Sequence, residues 1–301
     1  MRFGIMAMQI DSLIPPEARD LPPEQALMRV MSFDHAGLVR SLAQQGFNPI
    51  ELGGDLAMLL PHTYAPPAIE SLKALKAELG LSYTVHLPLW SVEPSTLQTP
   101  VRQGSVQALV NMIRLTQPLE PEVYVMHATG ALAAEFYRMR LPEMAREVLL
   151  RQFQNGARQS LQSILAQTGL PSRRLAIETI EFPFELTLEL AEEMDLSICF
   201  DTGHVLVGFS GPVDFFEALE RSLPRLGEIH LHDGPWQGPE RNIGYGKDHS
   251  PLGTGDLDVP RLLDRLEKAQ FKGPIIFELR LEEALASMQV IRSLRPAAAR
   301  F

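Results

Sequence analysis

Leu196-Ser-Ile-Cys-Phe-Asp-Thr-Gly-His204 is the stretch that decides the fold. Mostly apolar residues run straight into Asp201, Thr202, Gly203 and His204. A run this short and this apolar suits a strand buried on both faces, as in a parallel sheet. A carboxylate and an imidazole at its carboxyl end are expensive to bury unless something pairs with them. Gly203 lets the chain turn there, and a metal ion is the simplest partner for both groups.

The same construction recurs along the chain. Short apolar runs are read at Phe3–Met8, Pro49–Leu52, Tyr83–Leu87, Val123–His127, Leu175–Thr179, Ile198–Asp201, Glu228–Leu231 and Pro274–Leu279. Segments of helical character separate them: Phe33–Gln45, Pro67–Leu79, Val101–Thr116, Pro142–Gln167, the acidic Phe184–Met194, Pro212–Leu223 and Pro260–Ala269, with Leu281–Leu294 after the last run. Several start with proline and stop at Gly46, Gly80 or Gly169, as helix ends prefer. Eight strand-then-helix units predict an α/β fold, a closed (β/α)8 TIM barrel in one domain over residues 1–295, with 296–301 as a tail. The rival is an open doubly wound sheet, but no glycine-rich phosphate turn follows the first run.

Composition narrows the function. The 301 residues are 45% hydrophobic with a formal net charge of −10, enough for a sizeable core and unlike the basic face that nucleic-acid binding requires. No run reaches the roughly 18 apolar residues of a membrane span, and the apolar N-terminus is too short for a signal peptide. The single cysteine, Cys199, excludes an intrachain disulfide and reads as a small core residue. The expectation is a cytoplasmic enzyme acting on a small molecule, without nucleic-acid or membrane partners.

Catalytic groups of such barrels sit at the carboxyl ends of strands. Six of eight histidines (His86, His127, His204, His230, His232 and His249) fall at or just beyond strand ends, and Glu178, Asp201 and Glu278 share that placement. Any one of these imidazoles reads as well as a core histidine bonded to a carbonyl. Six at one rim would each need a separate polar partner, which favours a shared metal pocket. Imidazole and carboxylate without thiolate suit Zn, Mn or Fe. His232 and Asp233 read equally as ligands or as groups that orient ligands. No lysine projects from a strand, which disfavours a Schiff-base aldolase.

In these residues the chain resembles the xylose-isomerase-like barrel superfamily, which includes endonuclease IV and many sugar isomerases and epimerases. The motifs His-Leu-Pro, Ile-Glu-Thr, Asp-Thr-Gly-His, Ile-His-Leu-His-Asp, Pro-Leu-Gly-x-Gly and Phe-Glu occur in order over nearly the whole chain. The endonuclease-IV-like pattern implies one metal on His86, His127 and Glu178, with Glu178 bridging to a second held by Asp201, His230 and Glu278. His204 and His249 resemble ligands of a third. The pattern carries an aspartate two residues before the last histidine; here that position is Lys247 and the acid is Asp248. Either Asp248 reaches in after a loop adjustment, or only two metals bind.

Within the superfamily the chain looks closest to the cobamide-remodelling phosphodiesterases. The matching stretches are Leu81–Leu89, Thr116–Pro121 before Tyr124–His127, Pro171–Glu178, Glu181–Leu186 and Glu193–His204. That resemblance implies a metal-dependent hydrolase cleaving the nucleotide loop of a cobamide (corrinoid), with Glu178 bridging metals and Glu278 binding one and orienting a water nucleophile. The alternative is a sugar or sugar-phosphate isomerase or epimerase with one divalent metal on Glu178, Asp201, His230 and Glu278, which leaves His86 and His127 without a task. Abasic-site endonuclease activity ranks lower on charge. Trp90, Trp236 and Tyr245 are candidate substrate contacts, and Gly234–Gly246 a candidate lid; packing of loops against the barrel explains the aromatics equally well.

Overall fold

The protein is described from a computed structural model covering residues 1–9, 21–236 and 246–295. Eight strands, β1 (Arg2–Met6), β2 (Ile50–Gly53), β3 (Tyr83–His86), β4 (Tyr124–Met126), β5 (Leu175–Glu178), β6 (Ser197–Asp201), β7 (Leu226–His230) and β8 (Pro274–Phe277), pair in parallel in chain order. Pairing of β1 with β8, from Arg2 opposite Pro274 to Ile5 opposite Phe277, closes the ring. Each strand starts and stops within two residues of its apolar run, and β2 to β6 and β8 are buried throughout. That uniform burial is the reason the runs read as continuous apolar stretches rather than alternating ones.

Helices fill the outer ring where the sequence places them, from His35–Gln44 to Leu281–Leu294. Pro66–Leu79 and Glu143–Thr168 end at Gly80 and Gly169, both left-handed (φ 64° and 65°). Among the described residues four α-helices are additional: Pro23–Met31, Leu56–Leu59, Ala131–Arg138 and Thr202–Leu206. Two of them span only four or five residues, too few to show a helical period. Among the described residues no helix is long and apolar enough to cross a membrane. Residues 296–301, expected as a tail, lie outside the described residues.

Barrel interiors are usually layers of branched aliphatic side chains. Here the middle of the barrel is polar: Thr84 on β3 donates across the ring to Glu228 on β7 (3.0 Å), and Glu51 on β2 faces His230 on β7. Above that layer, at the carboxyl ends of the strands, stand His86, Glu178, Asp201 and His230.

Candidate metal centre

Glu178, at the end of β5, is fully buried and forms the hub. Its Oε2 lies 3.1 Å from His86 Nε2 and 3.0 Å from His127 Nε2. Its Oε1 lies 3.3 Å from both His204 Nδ1 and His230 Nδ1. Further round the ring, His230 Nδ1 is 3.4 Å from Glu278 Oε2 and 3.7 Å from Asp201 Oδ2. Glu278 Oε2 is in turn 3.2 Å from His249 Nε2. All eight residues expected to hold metal therefore converge at one end of the barrel.

They fall into donor groups. The ligand atoms of His86, His127 and Glu178 lie within 4.8 Å of one another, as do those of Glu178, Asp201, His230 and Glu278. A third group of the same compactness is His204, His232 and His249. Within it Asp248 occupies the place expected of an acid, 2.9 Å from His249 Nδ1 and 3.7 Å from His204 Nε2, with His249 itself in the left-handed region (φ 54°). The one-residue shift from Lys247 to Asp248 thus still brings a carboxylate between the two imidazoles.

The charges of the cluster are tightly interdependent. His86 and His204 are buried, which opposes charge, yet Glu178 beside His86 and Asp201 and Glu178 beside His204 lift both to about 9. Burial likewise opposes charge on His249, but Asp248 and Glu278 raise it to about 11. Against the cost of burial, His127 and His230 hold Glu178 well below the usual carboxylate range, and His230 and His249 hold Glu278 low. The carboxylates favour positive charge beside them, which protonated imidazoles or bound cations can supply. Glu178 Oε1 and both ring nitrogens of His230 are buried without a hydrogen-bond partner. Buried groups of this kind normally have one. An imidazole–carboxylate donor set with such orphaned atoms fits divalent cations, which would displace the protons.

His232 has a different position. Its Nε2 pairs with Asp201 Oδ2 (2.9 Å) and its Nδ1 accepts the backbone N–H of His249 (2.8 Å), so both nitrogens already have partners. A Cβ on Gly203 would meet His232 Nδ1 at 2.1 Å, so glycine is what admits that ring behind Asp201. Asp233 ties down the loop beyond β7, accepting from the N–H groups of Gly253, Gly255 and Leu257. For His232 this is the orienting role that the sequence offered beside that of a ligand, whereas the loop-holding role of Asp233 does not read off the sequence, because its partners are brought in by the fold.

A cavity of about 670 Å³ opens over the centre, reaching Met8, Trp90, Leu279 and Arg280, with His86, His127, Glu178 and Glu278 among its lining residues. A smaller groove of about 320 Å³ shares Trp90, His127 and His204 and extends to Phe209. Asp55 shapes the Trp90 loop by accepting the N–H groups of Leu89 (2.9 Å) and Trp90 (3.2 Å). Trp90 is exposed at the mouth. Trp236 is held by its backbone to Asp256 and is not among the residues lining either cavity. Tyr245 and most of Gly234–Gly246 lie outside the described residues. Sequence reasoning missed Glu51; the available signal was an acid at the centre of an otherwise apolar run.

Comparison with known proteins supports the architecture. Residues 39–295 match the model of the xylose isomerase-like TIM barrel family. An uncharacterized protein of Methanocaldococcus jannaschii is 23% identical over 241 residues, covering 77% of this chain and 76% of that protein. A solved D-tagatose 3-epimerase-like protein superposes with a TM-score of 0.69 at 20% identity, covering 98% of this chain and 97% of that one. Endonuclease IV from Thermus thermophilus gives 0.65 at 19% identity, covering 98% and 99%. A 3-keto-D-glucoside 4-epimerase from E. coli gives 0.66 at 17%, covering 99% and 100%. At these identities the solved structures speak for the fold alone. The chain, with its eight-stranded barrel and its strand-end histidines and acids, belongs to the xylose isomerase-like TIM barrel family.

Proposed function

We propose that the protein is a metal-dependent phosphodiesterase whose substrate is a small organic phosphodiester, the nucleotide loop of a cobamide being the case its sequence most resembles. One observation carries the reading: His86 and His127 converge on one oxygen of Glu178 while His204 and His230 take the other. A carboxylate used on both sides suits a bridge between two cations, and a single-metal site has no use for the first pair of imidazoles.

Paired divalent cations, when bound, bind phosphate oxygens and lower the pKa of a water. Glu178 presents one oxygen to each donor group. His86 and His127 fill the first, and Asp201, His230 and Glu278 fill the second. Glu278 also stands beside His249 and, kept ionised there, can orient a nucleophile. Asp248 with His204 and His249 offers a third position. The mouth binds the organic part of the substrate, with Trp90 as its largest apolar contact. A single buried thiol fits a reducing, cytoplasmic setting.

The second reading is a sugar isomerase or epimerase on one metal, favoured by the compact Glu178, Asp201, His230 and Glu278 group. There two carboxylates would shuttle a substrate proton. Solved neighbours bearing epimerase names belong to this fold, whereas DNA cleavage conflicts with the net charge of −10. The deciding assay incubates the metal-loaded protein with a cobamide and, separately, with ketoses in deuterated water. Release of a nucleoside fragment supports hydrolysis; an intact cobamide with deuterium entering a ketose supports the second reading instead.

A further inference from the structure

Beneath the cation groups described above the barrel holds a second buried layer, in which Glu51 and Glu228 gather under His230 with their ligand atoms within 4.8 Å of one another. Glu51 is fully buried on β2, and neither of its carboxylate oxygens has a hydrogen-bond partner. Its Oε2 lies 3.4 Å from His230 Nε2. The other nitrogen of that ring, Nδ1, faces upward to Glu178 Oε1 (3.3 Å), Glu278 Oε2 (3.4 Å) and Asp201 Oδ2 (3.7 Å). His230 therefore spans the gap between the cluster and the floor, with a carboxylate at each end.

An imidazole that donates a lone pair from Nδ1 keeps its proton on Nε2. In a fully buried place that N–H needs an acceptor. The neighbouring Cys199 is a thiol and a weak acceptor. Glu228, the other acid of the layer, takes the Thr84 hydroxyl on Oε1 and leaves Oε2 without a partner, but it is Glu51 whose Oε2 stands 3.4 Å from His230 Nε2. Glu51 is the group placed to serve.

We propose that Glu51 is the positioning residue for His230: it accepts the Nε2–H, fixes the tautomer and the ring plane, and makes Nδ1 the more basic donor. The inference rests on the metal-centre reading above. It also explains why an acid persists where barrels usually carry aliphatic residues, since an isolated buried carboxylate costs stability.

The test titrates metal-depleted wild type, Glu51→Gln, Glu51→Leu and Glu228→Gln with Co²⁺, following visible absorption and counting bound cobalt by mass spectrometry. Thermal unfolding of the same metal-depleted proteins is recorded in parallel. Losing a group that orients a ligand costs roughly 10- to 100-fold in metal affinity. That loss is expected at one site in Glu51→Leu, with a smaller loss in Glu51→Gln, which keeps a neutral acceptor. Glu228→Gln is expected to retain wild-type affinity. In the metal-free protein Glu51→Leu leaves the buried His230 Nε2–H without an acceptor, so its melting temperature should fall, whereas Glu51→Gln, which keeps an acceptor, should stay near wild type. Glu51→Gln, nearly isosteric, carries the test if the leucine variant does not fold. Unchanged cobalt affinity in the Glu51 variants overturns the inference, as does a parallel fall of affinity and melting temperature in all three variants. A wild type that binds no cobalt overturns the metal-centre reading instead.

Discussion

His127 Nε2 sits 3.0 Å from Glu178 Oε2, on the opposite side of that carboxylate from His230, which lies 3.3 Å from Oε1. Replacing Glu178 should therefore disturb two donor groups together, whereas replacing His127 should disturb one. In Glu178→Gln, metal content measured by mass spectrometry is expected to fall by at least two ions per chain, and hydrolysis to drop by more than about 100-fold, exceeding the loss typical of a residue that only orients a ligand. His127→Ala should lose one ion and keep the rest. Equal losses in the two variants would show that Glu178 does not bridge.

Metal binding should strengthen with pH. Without cations, His86 and His204 hold their protons up to about 9, because Glu178 and Asp201 outweigh the effect of burial. Each cation must displace such protons, so apparent affinity rises about tenfold per pH unit per proton displaced, levelling off above pH 9 where His86 is the ligand and only toward pH 11 where His249 is. Stability of the metal-free protein runs the other way. The pairing contributed by raised histidines is complete below their unfolded value, about 6.5, and is lost as pH rises through about 9. Calorimetry in buffers of different ionisation heats reads the protons released, and none released at pH 7 would contradict this.

Acid stability hinges on a residue far from the centre. Burial drives His35 down to about 4, with its Nδ1 3.3 Å from the Thr63 carbonyl and its ring against Tyr64. Its folded value lies below its unfolded one, so its contribution is whole above about pH 6.5 and is lost as pH falls toward 4. The loss is about 3 kcal/mol at about 1.4 kcal/mol per unit. Urea unfolding of His35→Leu at pH 7 and pH 4.5 should show a smaller pH dependence than wild type; an identical dependence would exclude His35 as the cause.

Trp90 stands exposed at the shared edge of the large cavity and the smaller groove. Trp90→Ala should raise KM roughly 2- to 10-fold with little change in kcat, the pattern of lost ground-state contact. A fall in kcat at constant KM would assign the ring to the chemical step.

The barrel was legible because its strands are buried on both faces, so runs such as Leu175–Glu178 and Pro274–Phe277 stand out against amphipathic helices. His86, His127 and Glu178 were legible because each ends such a run. Glu51 was not, although it lies within one. Whether its side chain meets His230 depends on the stagger that closes β2 around to β7, which no local pattern encodes. Asp233 was legible as a ligand or an orienting group but not as the residue that holds a loop: its partners Gly253, Gly255 and Leu257 lie about twenty residues on, in a loop without periodicity. Thr202–Leu206 is too short to announce itself, and is set by Asp201 accepting the His204 N–H at 2.7 Å.

The most direct measurement is the number of divalent ions per chain in protein purified without chelator, counted by mass spectrometry beside Glu178→Gln. Two or three ions in the wild type, with at least two lost in the variant, is the expected result. One ion or none in the wild type would contradict a centre bridged by Glu178.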